Sequence, residues 1–314
     1  MLTACRRLCI GALAALALPA MAQMASDKAK FVGNVIGSAV PDSYSRYWNQ
    51  VTPENASKWG VVEGTRNTLA WAGVDAAYDF AQSKGYRFKF HTFVWGSQAP
   101  AWIGSLSPAQ QRDAVEQWMR VACQRYPNIW AVDVVNEPLH QPPAFKDALG
   151  GDGSTGWDWV ITSFRLARQH CPKAQLLINE YGTEGNPAER ERLKAIVMLL
   201  KDRGLIDGIG LQAHHFTLDK LSPAQLQAAL DDYATLGLDL YISELDLTGG
   251  GSDSGQQARY EALFPVLWKH ASVKGITLWG YLSGQTWADG TGLLGAGAIE
   301  RPALTWLKNY VRSN

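Results

Sequence analysis

The segment IWAVDVVNEP at residues 129–138 decides the fold, because it is a nearly continuous apolar run that ends at Asn136 and Glu137. A strand that is buried on both faces of a parallel sheet has this pattern, whereas a strand with one solvated face alternates apolar and polar residues. The segment LDLYISELDL at residues 238–247 has the same pattern and ends around Glu244. The two segments therefore predict strands of a parallel sheet, which requires helices on its faces.

Eight strand-like runs alternate with helical stretches along the chain, which predicts successive βα units of one domain. The predicted strands are Phe31–Gly37, Tyr47–Thr52, Phe88–Trp95, Ile129–Val135, Gln175–Asn179, Gly208–His214, Leu238–Ser243 and Gly275–Trp279. The predicted helices lie near Asp42–Arg46, Trp71–Ser83, Ser107–Arg125, Trp157–His170, Pro187–Lys201, Ser222–Leu236, Gly255–Ala271 and Pro302–Val311. Eight such units close into a barrel, which normally takes about 250 residues. We therefore predict an α/β fold, a single-domain (β/α)8 TIM barrel.

The N-terminus has the pattern of an export signal. Two arginines precede an apolar run at residues 8–18, and residues 20–22 have the small-x-small arrangement of a cleavage site. We predict a signal peptide at residues 1–22 and a (β/α)8 catalytic domain at residues 23–314. The apolar run is too short for a permanent membrane span. We expect an exported protein, extracellular or periplasmic, that has no membrane contact after cleavage.

The cysteines divide between these two regions. Cys5 and Cys9 lie in the predicted signal, whereas Cys123 and Cys171 lie near the C-terminal ends of two predicted helices. An oxidising compartment allows a disulfide, and helix ends that are neighbours in a barrel can approach closely enough for one. Two buried free thiols fit the sequence equally well.

The composition narrows the classes of partner and cofactor. The chain has 29 basic and 29 acidic residues, so its formal net charge is zero and no basic field attracts nucleic acid. No Cys/His spacing indicates a metal site. His214 and His215 are adjacent, and we expect their side chains to point to opposite faces of a strand. We predict no metal, no cofactor and no nucleic-acid partner, and we expect a monomer.

Glu137 and Glu244 carry the chemical hypothesis, because each stands at the carboxyl end of a predicted barrel strand, where barrel enzymes build their sites. Hydrolysis of a glycosidic bond needs one carboxylic acid to protonate the leaving oxygen and a second, ionised carboxylate. Burial would raise the pKa of Glu137, whereas a bond from His214, itself bonded to Asp246, would keep Glu244 ionised. The alternative is structural, since acids at strand ends also cap helices and pair with lysines.

Other predicted strands also end in polar and aromatic residues. VTPENASKWG at residues 51–60 and KFHTFVWGSQ at residues 89–98 supply amide, basic, acidic and indole groups at the same face. Ligand pockets combine apolar walls with a few placed polar groups in this way. Surface loops and structural histidines have the same pattern. Most of the 13 tryptophans are expected in the core, so the candidates are those at strand ends.

Taken in order, these motifs resemble glycoside hydrolase family ten, the (β/α)8 endo-β-1,4-xylanases. The motifs are VTPENASKW, HTFVWGSQ, DVVNE, INEYG, GLQAH, ISELD and TLWG, and the resemblance covers roughly residues 33–311. It implies a retaining double displacement on xylan and xylo-oligosaccharides, with Glu137 as acid/base and Glu244 as nucleophile. Carboxyl groups in retaining enzymes lie about 5 to 5.5 Å apart.

The resemblance also implies the roles of residues around the two acids. The residues expected to hold the glycone units are Glu54, Asn55, Lys58, His91 and Gln98. Those expected around the reacting sugar are Asn136, Gln212 and His214, with Trp95, Trp279 and Trp287 as an aromatic cradle. Tyr181 is expected to stack on the aglycone side, and Asp133 and Asp246 to support the site. Gly96 replaces the histidine that is usual in the family, which predicts a wider reacting subsite.

Two other functions fit the same residues. A barrel glycosidase of the β-1,4-glucanase type would share the carboxylate pair and differ in the walls that meet the C5 hydroxymethyl group of glucose. A catalytically silent xylan-binding barrel would share the cleft, since a fold alone does not prove a function. Binding alone does not need a paired acid and nucleophile, which favours the enzyme.

Overall fold

The computed structural model describes residues 23–314, so the predicted signal peptide at residues 1–22 lies outside the described residues. The strands are β1 (Phe31–Ile36), β2 (Gln50–Pro53), β3 (Arg87–Val94), β4 (Ala131–Asn136), β5 (Gln175–Glu180), β6 (Gly208–Leu211), β7 (Asp239–Leu245) and β8 (Val273–Leu278). Each strand pairs in parallel with its sequence neighbours, and β1 pairs with β8 to close the barrel. The predicted (β/α)8 fold is confirmed.

Helices follow the strands and cover the barrel. The α-helices are α1 (Tyr44–Tyr47), α2 (Trp59–Val62), α3 (Ala72–Lys84), α4 (Pro108–Arg125), α5 (Asp158–His170), α6 (Pro187–Lys201), α7 (His215–Leu218), α8 (Pro223–Ala234), α9 (Asp253–Lys269) and α10 (Pro302–Ser313). Short 3-10 helices lie at Ala101–Ser105, Lys146–Leu149, Gly249–Gly251 and Ala296–Ala298. The Ser107 and Ser222 side chains cap α4 and α8 by accepting from the third residue of each helix. Among helices of the described chain, none is both long and apolar enough to cross a membrane.

The bounds of every predicted strand shift in the structure, and two strands shift most, by three residues at one end. The second begins at Gln50 rather than Tyr47, because Tyr47 ends α1. The sixth ends at Leu211 rather than His214, because Ala213 has a φ of 60° and the left-handed conformation cannot continue a strand. The helices α2 and α7 were not predicted, since a single helical turn is too short to show a period.

Cys123 and Cys171 form a disulfide, with their Cα atoms 5.4 Å apart. Cys123 lies near the end of α4 and Cys171 directly follows α5. The sequence allowed either a disulfide or two buried free thiols, and the structure has the disulfide. It lies at the face where the strands begin, opposite the candidate site.

Candidate functional site

One cavity of about 490 Å³ lies at the carboxyl ends of the barrel strands. Glu137 and Glu244 both line it. So do all twelve predicted substrate-binding residues, namely Glu54, Asn55, Lys58, His91, Trp95, Gln98, Asn136, Tyr181, Gln212, His214, Trp279 and Trp287. Phe216 completes the lining and was not predicted, because it lies in the one-turn helix α7. The structure thus brings residues from seven of the eight strand ends, all but β1, and their following loops to one cleft.

Glu137 directly follows β4 and is held by three donors. Trp95 Nε1 donates to Oε2 at 2.9 Å, while Gln212 Nε2 and Asn136 Nδ2 reach Oε1 at 3.1 and 3.3 Å. Burial raises the pKa of Glu137, and the negative charge of Glu244 raises it further, although the bonds from Gln212 and Trp95 act in the opposite direction. The result favours a protonated acid in the cleft.

Glu244 lies near the end of β7 and is 4% exposed. Asn179 Nδ2 donates to its Oε1 at 2.6 Å, and His214 Nε2 lies 3.3 Å from its Oε2. Burial alone would raise the pKa of Glu244. The hydrogen bond from His214 and the positive charges of His91, His214 and Lys89 outweigh it and lower the pKa to about 2. Glu244 is therefore ionised, in contrast to Glu137.

His214 joins Glu244 to Asp246, because its Nδ1 donates to Asp246 Oδ2 at 2.8 Å. Burial would lower the pKa of His214, but bonds to the two carboxylates raise it to about 10. Asp246 lies beside the cavity and also accepts from Trp287 Nε1 at 2.7 Å. These contacts place a positive imidazolium between two carboxylates.

His215 corrects one expectation. Its backbone N–H and its Nδ1 lie 2.7 and 3.0 Å from Asp246 Oδ1, so both adjacent histidines face Asp246. The prediction of opposite faces was wrong because His214 and His215 have left the strand at the left-handed Ala213. Within residues 23–314, no group of three or more His, Cys, Asp or Glu side chains is arranged to hold a metal.

Asp133 lies beneath the cavity and is fully buried. Its Oδ2 lies 3.0 Å from Lys89 Nζ and 2.8 Å from His91 Nδ1. Lys89 and Asn179 were not predicted as site residues. For Lys89 a signal was available, since residues 89 and 91 stand two apart on one strand and share a face.

Lys58 lies in the part of the cleft where glycone binding is expected. Its Nζ donates to Asn55 Oδ1 at 2.8 Å and lies 4.9 Å from the centre of the Trp95 ring. Burial lowers the pKa of Lys58 and raises that of Glu54, while the attraction between the two charges offsets part of both shifts. This region therefore presents a cation, a carboxyl and an amide to a polar ligand.

Tyr181 is part of an aromatic group in the same cleft. The His140 ring stacks on it, with centroids 4.1 Å apart, and the Phe216 ring lies nearly perpendicular to it, with centroids 5.7 Å apart. His140 Nδ1 lies 2.9 Å from Glu180 Oε1, and this bond raises the pKa of His140. Phe216 is 36% exposed. The group offers a flat, partly exposed surface to a sugar ring.

Gly96 packs against the backbone of the loop that follows β4. Its N–H donates to Gln141 O at 2.9 Å, and a Cβ at Gly96 would lie 2.6 Å from the carbonyl oxygens of Gln141 and Pro142. Backbone atoms thus fill the place that a side chain would take. The wider reacting subsite expected at Gly96 stays a prediction, because this contact concerns only the place of a Cβ and not the width of the cleft.

We expect Gly96→Ala to lower the free energy of unfolding by about 1–3 kcal/mol, because the added methyl group forces the loop away. Urea denaturation of the purified variant measures the change. Gly104→Ala is the matched control, since a Cβ at Gly104 meets no atom within 4 Å. Equal stability of the two variants would contradict the packing at Gly96.

The sequence and the fold were compared with known proteins. The family model for glycosyl hydrolase family 10 matches residues 15–311. Endo-1,4-beta-xylanase B of Cellvibrio japonicus is 43% identical over 285 residues, which cover 89% of this chain and 45% of that protein. This chain therefore spans about 45% of the length of that relative. Endo-1,4-beta-xylanase A of Fusarium oxysporum f. sp. lycopersici is 33% identical over 282 residues, 83% of each chain.

Two solved structures have the same fold. A family 10 structure from Paenibacillus barcinonensis matches with a TM-score of 0.80 and 24% identity, covering 90% of this chain and 95% of its own. Native xylanase 10B from Thermotoga maritima matches with a TM-score of 0.81 and 22% identity, covering 93% and 98%.

Proposed function

The chain belongs to glycosyl hydrolase family 10, and we propose that it hydrolyses internal β-1,4 linkages of xylan and xylo-oligosaccharides with retention of configuration. One observation carries the proposal. Two strand-end glutamates line one cavity, and their environments shift their pKa values in opposite directions, upward for Glu137 and to about 2 for Glu244. A protonated acid and an ionised nucleophile are what a retaining glycosidase requires.

In the first step, the Glu244 carboxylate attacks the anomeric carbon while Glu137 gives its proton to the glycosidic oxygen. The carbon–oxygen bond breaks, the aglycone leaves, and a glycosyl ester forms on Glu244. Gln212 and Trp95 stabilise the carboxylate that Glu137 becomes, since both donate to it.

In the second step, Glu137 takes a proton from water, and the water oxygen attacks the anomeric carbon. The ester bond breaks and Glu244 leaves as a carboxylate. His214 stabilises this leaving group, because its imidazolium lies 3.3 Å from Oε2. Asn179 supplies a second donor to Oε1 at 2.6 Å.

The remaining cavity residues would bind the sugar chain. We assign Lys58 and its neighbours Glu54 and Asn55 to the glycone hydroxyls, and Tyr181 with Phe216 to the aglycone ring. Asn136 is placed beside Glu137 and would bind the 2-hydroxyl of the reacting sugar, a contact that strengthens as the transition state forms. We propose that Trp279 and Trp287 form the walls of the cleft that meet C5 of the sugar. These walls would discriminate xylose from glucose, which carries a hydroxymethyl group at C5.

His214→Gln should shift the acidic limb of the pH–rate profile to higher pH. Without the imidazolium, Glu244 loses a positive charge 3.3 Å from its Oε2, so the pKa of Glu244 rises from about 2. The basic limb, set by Glu137, should stay in place, because His214 makes no hydrogen bond to Glu137 and is not a cause of its raised pKa. The measurement is kcat/KM on a xylo-oligosaccharide from pH 3 upward to the basic limit.

His270→Gln is the matched control for this change. His270 also lies beside a carboxylate, that of Asp231 at 3.2 Å, but it does not line the cavity. We expect it to leave both limbs unchanged. An unshifted acidic limb in the His214 variant would mean that the imidazolium does not control Glu244.

The proposed substrate is tested by reducing-sugar release from xylan, with carboxymethyl cellulose and mannan in parallel and Glu244→Ala as the inactive control. We expect xylo-oligosaccharides from the unmodified protein and no release by the variant. Release mainly from the glucan would keep the carboxylate pair and overturn the substrate. No release from any of the three would favour a binding protein.

A further inference from the structure

We propose that Glu184 is a positioning residue for both catalytic carboxylates, a role that rests on the proposed function. Glu184 lies in the loop between β5 and α6, is 3% exposed, and does not line the cavity. It acts through the turn Gln212–Ala213–His214, which follows β6. Neither the motifs nor the chemistry described above uses Glu184.

The contact between Glu184 and the turn is a buried hydrogen bond. The backbone N–H of Ala213 donates to Glu184 Oε1 at 2.8 Å. Ala213 has a φ of 60°, a conformation that residues with a Cβ rarely adopt and that persists where the surroundings hold it. A bond from a backbone N–H to a carboxylate is of the stronger, charge-assisted kind. Glu184 is therefore placed to hold Ala213 in this conformation.

The turn carries one contact to each catalytic acid. Gln212 Nε2 donates to Glu137 Oε1 at 3.1 Å, and His214 Nε2 lies 3.3 Å from Glu244 Oε2. Only Ala213 separates the two residues in sequence, so its backbone conformation sets the directions of both side chains. A change at Ala213 would move the Gln212 amide, which donates to Glu137, together with the His214 imidazolium, which lies beside Glu244.

The burial of Glu184 supports this role. Burial raises its pKa, and the bond from Ala213 and the nearby His214 only partly offset that effect. Within the described chain, Glu184 Oε2 has no hydrogen-bond partner, so its charge is incompletely paired. A buried carboxylate of this kind contributes little to stability compared with an apolar side chain. The side-chain hydrogen bond of Glu184 is the one to Ala213, in the turn that carries Gln212 and His214.

The test compares Glu184→Ala with Glu184→Gln, which keeps a side-chain oxygen for the Ala213 N–H. We expect Glu184→Ala to lower kcat on xylo-oligosaccharides on the order of 10²-fold with a smaller change in KM, as misplacement of reacting groups does. Both limbs of the pH–rate profile should move to higher pH, because Glu244 loses the imidazolium and Glu137 loses the Gln212 N–H. Glu184→Gln should restore both limbs and most of kcat.

Thr183→Val is the control, since Thr183 is a buried neighbour whose hydroxyl makes no hydrogen bond to the turn, and it should keep the unmodified profile. If the alanine variant does not fold, Glu184→Asp replaces it, because the shorter side chain cannot reach Ala213. Unshifted limbs with kcat reduced only by the loss of folded protein would overturn the proposal. If the unmodified protein releases nothing from xylan, the proposed function fails instead, which separates the two.

Discussion

Glu244→Ala is expected to lower kcat on xylan on the order of 10⁵-fold, the largest effect of any change discussed, because no covalent intermediate can form without the carboxylate. Glu244 lines the cavity, and its pKa of about 2 keeps it ionised at every pH at which the protein would act. Initial rates on xylan and on an aryl xylobioside measure the loss. Both substrates should be affected, since both need the nucleophile.

Asp239→Ala is the matched control for Glu244→Ala. Asp239 is the first residue of the same strand, β7, and so lies at the opposite end of the barrel from Glu244. It pairs there with Lys274 at 3.6 Å in an exposed position. We expect it to retain the unmodified rates. Azide should restore cleavage of the aryl substrate by Glu244→Ala and give the inverted, α-configured glycosyl azide. Substantial xylan hydrolysis by that variant would remove Glu244 from the mechanism.

Glu137→Ala is expected to have the second largest effect, and one that depends on the leaving group. On xylan, kcat/KM should fall about 10³- to 10⁴-fold, because the departing sugar oxygen needs a proton. A dinitrophenyl xylobioside has a leaving group that departs without protonation, so its first step should be spared. The expected record is a rapid burst of dinitrophenol followed by slow turnover, since water now lacks its base.

Two further measurements decide the role of Glu137. The basic limb of the pH–rate profile should disappear in the variant, because it reports loss of the proton from an acid with a raised pKa. Azide should speed turnover and give a β-configured product from the intact glycosyl ester. Equal losses on xylan and on the dinitrophenyl substrate would rule out Glu137 as the acid.

The barrel was predictable because each strand is buried on both faces and so appears as an apolar run. The ranges of β3 and β5 differ from prediction by one residue at most at each end. The cavity residues were predictable for a related reason: parallel strands deliver their terminal polar groups to one edge. Residues such as Lys58 and His91 therefore fall together although 33 positions separate them in the sequence.

What the sequence did not reveal depends on contacts between loops. Gly96 reads as a missing side chain, yet the loop at Gln141 fills the place, and no local pattern shows where that loop runs. Phe216 and His215 follow a turn that leaves the strand at Ala213, an alanine that carries no signal of a positive φ. Glu184 acts through a backbone N–H, a contact that side-chain motifs do not show.

We propose that this chain cleaves xylan by a retaining double displacement between Glu137 and Glu244. Proton NMR of xylopentaose during early hydrolysis tests it most directly, because the configuration of the first products is read before mutarotation. We expect the β-anomer to appear first and the α-anomer to grow in later. First appearance of the α-anomer would mean inversion by direct attack of water, and would contradict the assignment of Glu244 as nucleophile.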